Sequence, residues 1–293
     1  MLSEKEIINS KIGIVAHDAG GANYIKSFMK FHKISSYLFT GGPAKKILNG
    51  LENITECFSI EELITKIDIL IIGSGWESNF EIKALSIAKK RVTTITILDH
   101  WTNYLERFSF NNEKIYPDII FVFDQYAYEK AKLVFPVKQE ICLLDNYYLN
   151  EQILESKKYS INSTYILYVD EPIKAHVNSK KEYDYDEFQG INFFLKYIEK
   201  SKYFKEKILI RLHPSEVNKN KYFNLIKKYS NISISKNTSL VDDIMSSKFV
   251  IGFESMALVV STALNKSVYN IIPPKCKKSS LPHKEIKNFY NEL

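Results

Sequence analysis

Short, unbroken runs of β-branched and aliphatic residues recur along the chain. Each leads through a polar or glycine-bearing loop into a stretch of helical periodicity. The first six runs are Lys11–Ala16, Ser35–Thr40, Asp68–Gly73, Thr93–Leu98, Asp118–Phe123 and Glu140–Leu144, with helical patterns at Ala22–His32, Ser78–Lys90 and Gln125–Val134. Runs that are apolar throughout, instead of alternating, mark strands buried on both faces. Interleaved with helices, they predict a parallel sheet covered on both sides. The polar stretch Asp145–Ser163 interrupts the pattern. A second series follows at Thr164–Val169, Lys207–Leu212, Asn231–Ser235, Lys248–Phe253 and Ser267–Ile272. Helices are predicted there over Phe188–Lys202, Val217–Tyr229, Leu240–Ser246 and Met256–Leu264. The expectation is an α/β chain of two Rossmann-like domains, 1–150 and 151–293, whose parallel sheets face a central cleft. No internal repeat of the kind that builds solenoids is present, and the low-complexity patch Asn178–Glu187 reads as a loop.

The 293 residues suffice for two ordinary domains, and 45% hydrophobic with 25% charged residues is the balance of a globular protein. No segment reaches the ~18 apolar residues of a membrane span. The opening MLSEKEIINSKIGIV carries acids near its front and lacks the long apolar core of a secretory signal. Cys57, Cys142 and Cys276 are odd in number and widely spaced, which argues against a disulfide framework and a zinc site. A cytoplasmic protein is expected. The net charge of +6 is too small to signal nucleic-acid binding. Lysines 266, 275, 277, 278, 284 and 287 cluster near the C-terminus, a solvated basic end or a weak contact for an anionic membrane surface.

In open α/β sheets, ligands bind beyond the carboxyl ends of the strands, so chemistry is sought at the exits. The first exit reads AHDAGGAN (16–23). Gly20 and Gly21 before a helix would let backbone N–H groups approach a polar ligand, with Asn23 nearby. His17 and Asp18 can serve as general base and orienting partner, or merely as a structural hydrogen bond and a helix cap. The exits GSGWESN (73–79) and LDHWTNYLERF (98–108) add Trp76, Asp99, His100, Trp101 and Tyr104. Aromatic rings beside polar groups suit a sugar, and they equally suit an apolar cluster closing the sheet. In the second half the exits are VDEPIKAH (169–176), RLHPSE (211–216) and GFESMALVVSTALNK (252–266). Glu254 and Ser255 at the last helix start form either a phosphate cradle or an ordinary N-cap.

An acidic pair after one strand, His-Pro after the next and a serine at the helix start after VIGFES together resemble the bacterial sialyltransferases and related enzymes that use CMP-activated nonulosonic acids. The resemblance covers Val169–Leu264 and departs from the family pattern at Pro172, where glycine is usual, and at Ser255, which has no hydroxyl neighbour. CDP-glycerol and Kdo transferases have a comparable C-terminal layout. The resemblance implies a GT-B fold and a donor site built from Arg211, His213, Pro214, Gly252, Glu254 and Ser255. His213 would face the donor phosphate as nucleotide monophosphate leaves, Pro214 would stiffen the turn, and Arg211 would add charge on the same side.

The expected activity is transfer of a sugar from a nucleotide donor, most simply a CMP-linked nonulosonic acid, to a glycan or protein acceptor. It is expected to be inverting, with no metal or other cofactor. The first domain would hold the acceptor through His17, Gly20, Gly21, Asn23, Trp76, Asp99, His100, Trp101 and Tyr104. Asp18 is the first choice of base, with Asp170 or Glu171 as rivals. A nucleotide-sugar epimerase or hydrolase, or a non-catalytic sugar-nucleotide binder, would share the same architecture.

Overall fold

The computed structural model describes residues 4–75, 78–176 and 184–291, without the side chains of 175 and 176. The chain divides into two compact units, Met1–Asn150 and Glu151–Leu293. The first unit holds strands β1 (Ile12–Ala16), β2 (Ser36–Thr40), β3 (Ile54–Glu56), β4 (Ile69–Ile72) and β5 (Thr93–Ile97), then a short hairpin of β6 (Ser109–Phe110) and β7 (Glu113–Lys114), then β8 (Ile119–Val122) and β9 (Glu140–Leu143). All but the hairpin form one parallel sheet in the order β3-β2-β1-β4-β5-β8-β9. Every residue of β1, β4 and β8 is buried, as the unbroken apolar runs predict. Helix α1 (Glu4–Ile8) precedes β1, and α2 (Ala19–His32), α3 (Gly42–Leu48), α4 (Ile60–Ile64), α5 (Phe80–Ala88) and α6 (Gln125–Val134) lie between the strands. The polar stretch at 145–163 contains α7 (Tyr147–Ser156).

The second unit repeats the plan with a parallel sheet ordered β12-β11-β10-β13-β14-β15. Its strands are β10 (Tyr165–Val169), β11 (Ile208–Arg211), β12 (Ile232–Ile234), β13 (Ser247–Gly252), β14 (Val268–Asn270) and β15 (Ile286–Asn288). Its helices are α8 (Ile173–His176), α9 (Glu187–Ile198), α10 (Phe223–Lys228), α11 (Leu240–Met245) and α12 (Met256–Ala263). Tyr168, Phe194, Phe253 and Phe289 are among the large side chains fully buried in its core. The two sheets give the molecule its GT-B-like, two-Rossmann fold class.

The order reverses once in each sheet. In the first, the chain steps outward from β1 through β2 to β3, then returns to the other side of β1 with β4. In the second, β10 and β13 flank the reversal. At such switch points the loops leaving adjacent strands run to opposite faces and leave a crevice.

Three local expectations are corrected. The edge strands β3 and β15 carry no apolar run; three residues suffice because each pairs on one side only. The helix expected at Val217–Tyr229 is confined to Phe223–Lys228. Upstream, Asn220 N–H donates to Asn218 Oδ1 at 3.0 Å and Asn218 N–H to Glu216 Oε1 at 2.8 Å, local bonds that compete with a helical ladder. His213 and Pro214 therefore open a turn, and no helix directly follows them.

Gly252 belongs to the packing of β13 on β10. A Cβ there would lie 2.6 Å from Val169 Cγ2 and 3.1 Å from Val169 O. Gly252→Ala should therefore lower the unfolding free energy by about 1–3 kcal/mol, read from the midpoint of a urea titration. An unchanged midpoint would contradict the close packing of these strands.

Candidate active sites at the strand exits

At the first switch point β1 delivers His17 and Asp18, and β4 delivers Gly73, Ser74 and Gly75. His17 Nδ1 lies 2.7 Å from Asp18 Oδ1, with both side chains about three-tenths exposed. With Nδ1 donating to the carboxylate, the neutral ring presents Nε2 as an acceptor, the arrangement of an oriented general base. The ring packs beside Phe80 and under the start of α3, where a Cβ on Gly42 would lie 2.7 Å from Nε2. Gly42 is in the left-handed region at φ 46°, and having no side chain it lets the backbone pack against this edge of the ring.

Asp18 occupies the N-cap position of α2 but makes no capping bond with its side chain. Glu81, in the first turn of α5, holds the exit from behind. Its Oε1 accepts from His17 N–H at 2.8 Å and Asp18 N–H at 3.3 Å. Glu81 is only 2% exposed, and its Oε2 has no hydrogen-bond partner among the described residues. Burial, with the Asp18 charge added, pushes its carboxyl above the usual glutamate range. Glu81 was not among the candidate site residues read from the sequence. The signal was there: Glu81 lies three, four and seven residues before Ala84, Leu85 and Ala88, on the stripe that α5 buries.

Other expectations for this unit change. Gly20 and Gly21 lie within the first turn of α2, and the space beside them is filled by protein. A Cβ on Gly20 would overlap Asp99 Oδ2, and one on Gly21 would meet Gly73 Cα at 3.0 Å. The pair brings the helix close to the neighbouring strand exits, leaving no gap there for a ligand. Trp101 is 3% exposed and donates its indole N–H to Asp124 Oδ2 at 2.9 Å. Tyr104 is buried and stacked on Phe135. Both rings are core, and the apolar-cluster alternative replaces the sugar platform. Asp99 bonds buried Arg107 at 2.9 Å and Ser74 Oγ at 3.3 Å, a clasp that ties the β4 and β5 exits together. His100 Nδ1 sits 3.0 Å from Thr102 Oγ1 and Asn23 is half-buried on α2. Trp76 lies outside the described residues.

At the second switch point Glu171, following β10, accepts the Glu254 N–H, following β13, at 2.9 Å. Ser255 caps α12, its Oγ accepting from Ala257 N–H at 3.2 Å. Glu254 accepts the Ser280 N–H, which fastens the 279–281 loop to this exit, so its carboxylate is not presented to a ligand. His213 stands at the neighbouring exit of β11. Glu216 N–H donates to His213 O at 2.9 Å, closing a turn with Pro214 at its second position, where a fixed φ fits. His213 Nδ1 lies 2.7 Å from Ser215 Oγ and 3.2 Å from Ser215 N; where it accepts from both, a neutral ring carries its proton on Nε2, as a donor.

Arg211 does not extend toward that histidine. Its guanidinium bonds Asp243 at 2.6 Å and the backbone carbonyls of Asn237, Thr238 and Ser239, so it shapes the loop before α11. Asp170 is also corrected as a base. It is 2% exposed, with Oδ1 2.5 Å from Tyr222 Oη and Oδ2 2.9 Å from Lys221 Nζ. Burial pushes its carboxyl up, against the pull of Tyr222 and Lys221. Lys221 also pairs with Glu187 at 3.0 Å and Glu216 at 3.1 Å. One buried ammonium thus serves three carboxylates, which sequence spacing did not reveal. Lys266 leaves the basic cluster as well, donating to the carbonyls of Met245 and Ser247.

Removing the ammonium alone would strand Asp170, Glu187 and Glu216 together. Lys221→Met should lower stability by about 3–5 kcal/mol, measured by urea unfolding. A loss below ~1 kcal/mol would show that the cluster is solvated, and would restore Asp170 as a free base.

No protein-family model matches the chain, and no curated protein matches it in sequence. Solved structures do share its fold. The UDP-GlcNAc 2-epimerase of Neisseria meningitidis, solved with UDP-GlcNAc, aligns over 85% of this chain and 78% of its own at a TM-score of 0.56 and 15% identity. A putative UDP-N-acetylglucosamine 2-epimerase of Listeria monocytogenes aligns over 90% and 80% at 0.56 and 11% identity. The wall teichoic acid polymerase TagF aligns over 89% of this chain and 69% of its own at 0.50 and 12% identity. At these identities the likeness is one of fold, and the fold it shows is GT-B.

Proposed function

We propose that this protein is a glycosyltransferase that moves a sugar from a nucleotide-linked donor to a hydroxyl acceptor, with a CMP-linked nonulosonic acid as the donor. The observation that carries the reading is the oriented His17–Asp18 pair at the first switch point, a base assembled where an α/β sheet binds ligands. The second unit takes the nucleotide, with His213 Nε2–H donating to the phosphate and the start of α12 at Ser255 nearby in the same sheet's exits. As the sugar–phosphate bond breaks, charge builds on a phosphate oxygen, and a placed imidazole donor stabilises it. The acceptor hydroxyl gives its proton to His17 Nε2, and Asp18 stabilises the resulting imidazolium. This revises the sequence-based choice of base: Asp18 orients and His17 takes the proton. The acidic-pair, His-Pro and serine pattern supports a CMP donor, and a shared fold with a UDP-GlcNAc-bound protein supports a nucleotide-sugar of some kind. In this reading the reaction is inverting and uses no metal, and exposed Lys275, Lys277, Lys278 and Lys284 give a weak contact with an anionic membrane face.

CMP at ~100 times its dissociation constant should stabilise the fold by about 2.7 kcal/mol, seen as a thermal shift, and EDTA should leave transfer intact. His213→Ala should cut turnover roughly 10²–10⁴-fold with folding preserved. His17→Gln should do the same without weakening CMP binding. A shift with UDP and none with CMP overturns the donor. Turnover of the nucleotide-sugar that proceeds equally without acceptor converts the reading to an epimerase or hydrolase.

A further inference from the structure

Glu81 has no part in the reaction proposed above beyond holding the β1 exit, and its surroundings are unusual. Oε1 is fully used by the two N–H groups of the β1 exit, whereas Oε2 is buried with no partner among the described residues. Gly75 shows where Oε2 points. A Cβ placed on Gly75 would lie 2.7 Å from Glu81 Oε2 and would also run into Asp18 Oδ2. The free oxygens of two carboxyl groups therefore converge on one point beside a glycine. Asp18 has its other oxygen on His17 Nδ1. Two ionised carboxylates in such a place repel each other with little water between them, and a single proton held between them removes the repulsion.

We propose that Glu81 is a positioning residue that carries a proton on Oε2 and donates it to Asp18 Oδ2, making a Glu81–Asp18–His17 chain in which each group fixes the next. Asp18 then accepts two hydrogen bonds, one at each oxygen, and its carboxylate plane is set. The imidazole it holds is aimed with Nε2 beside Gly42. When His17 takes a proton at Nε2, Glu81 keeps its own and Asp18 stays ionised to balance the imidazolium.

The groups around Glu81 agree with this. From the β1 exit, Asp18 raises its affinity for a proton and His17 lowers it, with burial the larger effect. From the turn at Glu106–Phe108, Arg107 lines the same small cavity of about 10 Å³. The Arg107 guanidinium is engaged with Ser74, Asp99 and Thr102, so its bonds go to other acceptors. From β5, Thr96 presents a hydroxyl and no charge to that cavity. No cation among the described residues bonds Glu81.

The role in turnover rests on the proposed function, but the shared proton does not, and the two are tested apart. Carbon-13 NMR of the glutamate carboxyls in the intact chain, with the Glu81 resonance assigned by its loss in Glu81→Gln, should show Glu81 titrating above the ordinary glutamate range. Asp18→Asn, which removes the facing charge, should move that midpoint down. Gln at 81 copies the protonated form, since it accepts with Oε1 and donates with Nε2. Because the folded pKa of Glu81 is raised, its contribution is complete at low pH and is lost as pH rises through the folded value. Glu81→Gln should thus gain thermal stability relative to the wild type as pH rises through that value. A Glu81 midpoint in or below the ordinary range, or one unmoved by Asp18→Asn, overturns the proposal whether or not the protein transfers a sugar. If Glu81→Gln does not fold, the Glu81 carboxyl is assigned through its bonds to the backbone in the wild type, and the comparison of wild type with Asp18→Asn decides it. If the titration behaves as expected but no nucleotide-sugar is turned over, the proton chain stands and the functional reading falls.

Discussion

A parallel sheet that reverses its strand order leaves backbone N–H groups at the reversal with no neighbouring strand to accept them, and both units satisfy these groups with carboxylates. In the first unit Glu81 takes the N–H groups of His17 and Asp18. In the second Glu171 takes the N–H of Glu254. A buried N–H without a partner costs free energy comparable to a lost hydrogen bond, so something must stand there. A carboxylate fills the position with two acceptor oxygens. It also brings a negative charge into a crevice where a ligand is expected. The polar chemistry at these exits therefore follows from the sheet order itself, before any demand of catalysis.

The two units hold the other acids near these exits differently. In the second unit a buried ammonium, Lys221, is inserted among Asp170, Glu187 and Glu216, and Tyr222 adds a hydroxyl. Such a cluster is rigid and internally satisfied, which suits a wall and not a proton-transfer group. In the first unit the cation nearest the exit, Arg107, is already bound to Asp99 and to backbone carbonyls. Glu81 and Asp18 are left with one imidazole, which is the composition of a titrating site. The contrast separates two acidic strand exits that look alike as letters.

The strands and their order of use were legible because burial on both faces leaves an unbroken apolar run. The expected limits of the first six runs differ from β1, β2, β4, β5, β8 and β9 by at most one residue at either end. What stayed hidden has a physical cause in each case. Three-residue edge strands need no apolar run. The Asn218 and Asn220 turns broke a helix that composition alone favours. Trp101 and Tyr104 read equally well as platform or core, and only the placement of Asp124 and Phe135 decides for core. The His17–Asp18 pair was visible because it is adjacent in sequence. Glu81, 63 residues from Asp18, reaches it only through the fold, although its place on the buried stripe of α5 marked it as an acid in the wrong solvent.

The geometry also explains why a base would be built from His17 and not from the carboxylate beside it. Asp18 follows a fully buried strand and is flanked by a second acid. An aspartate so placed can orient or stabilise, with Oδ1 on His17 Nδ1 and Oδ2 turned toward Glu81 Oε2. The imidazole keeps a second nitrogen clear of that bond. Gly42, in a left-handed conformation at the start of α3, has no side chain and lets the backbone pack against this edge of the ring. In the proposed reaction a charge-balanced pair of imidazolium and carboxylate would form as the hydroxyl attacks, beside an acid whose burial raises its affinity for a proton.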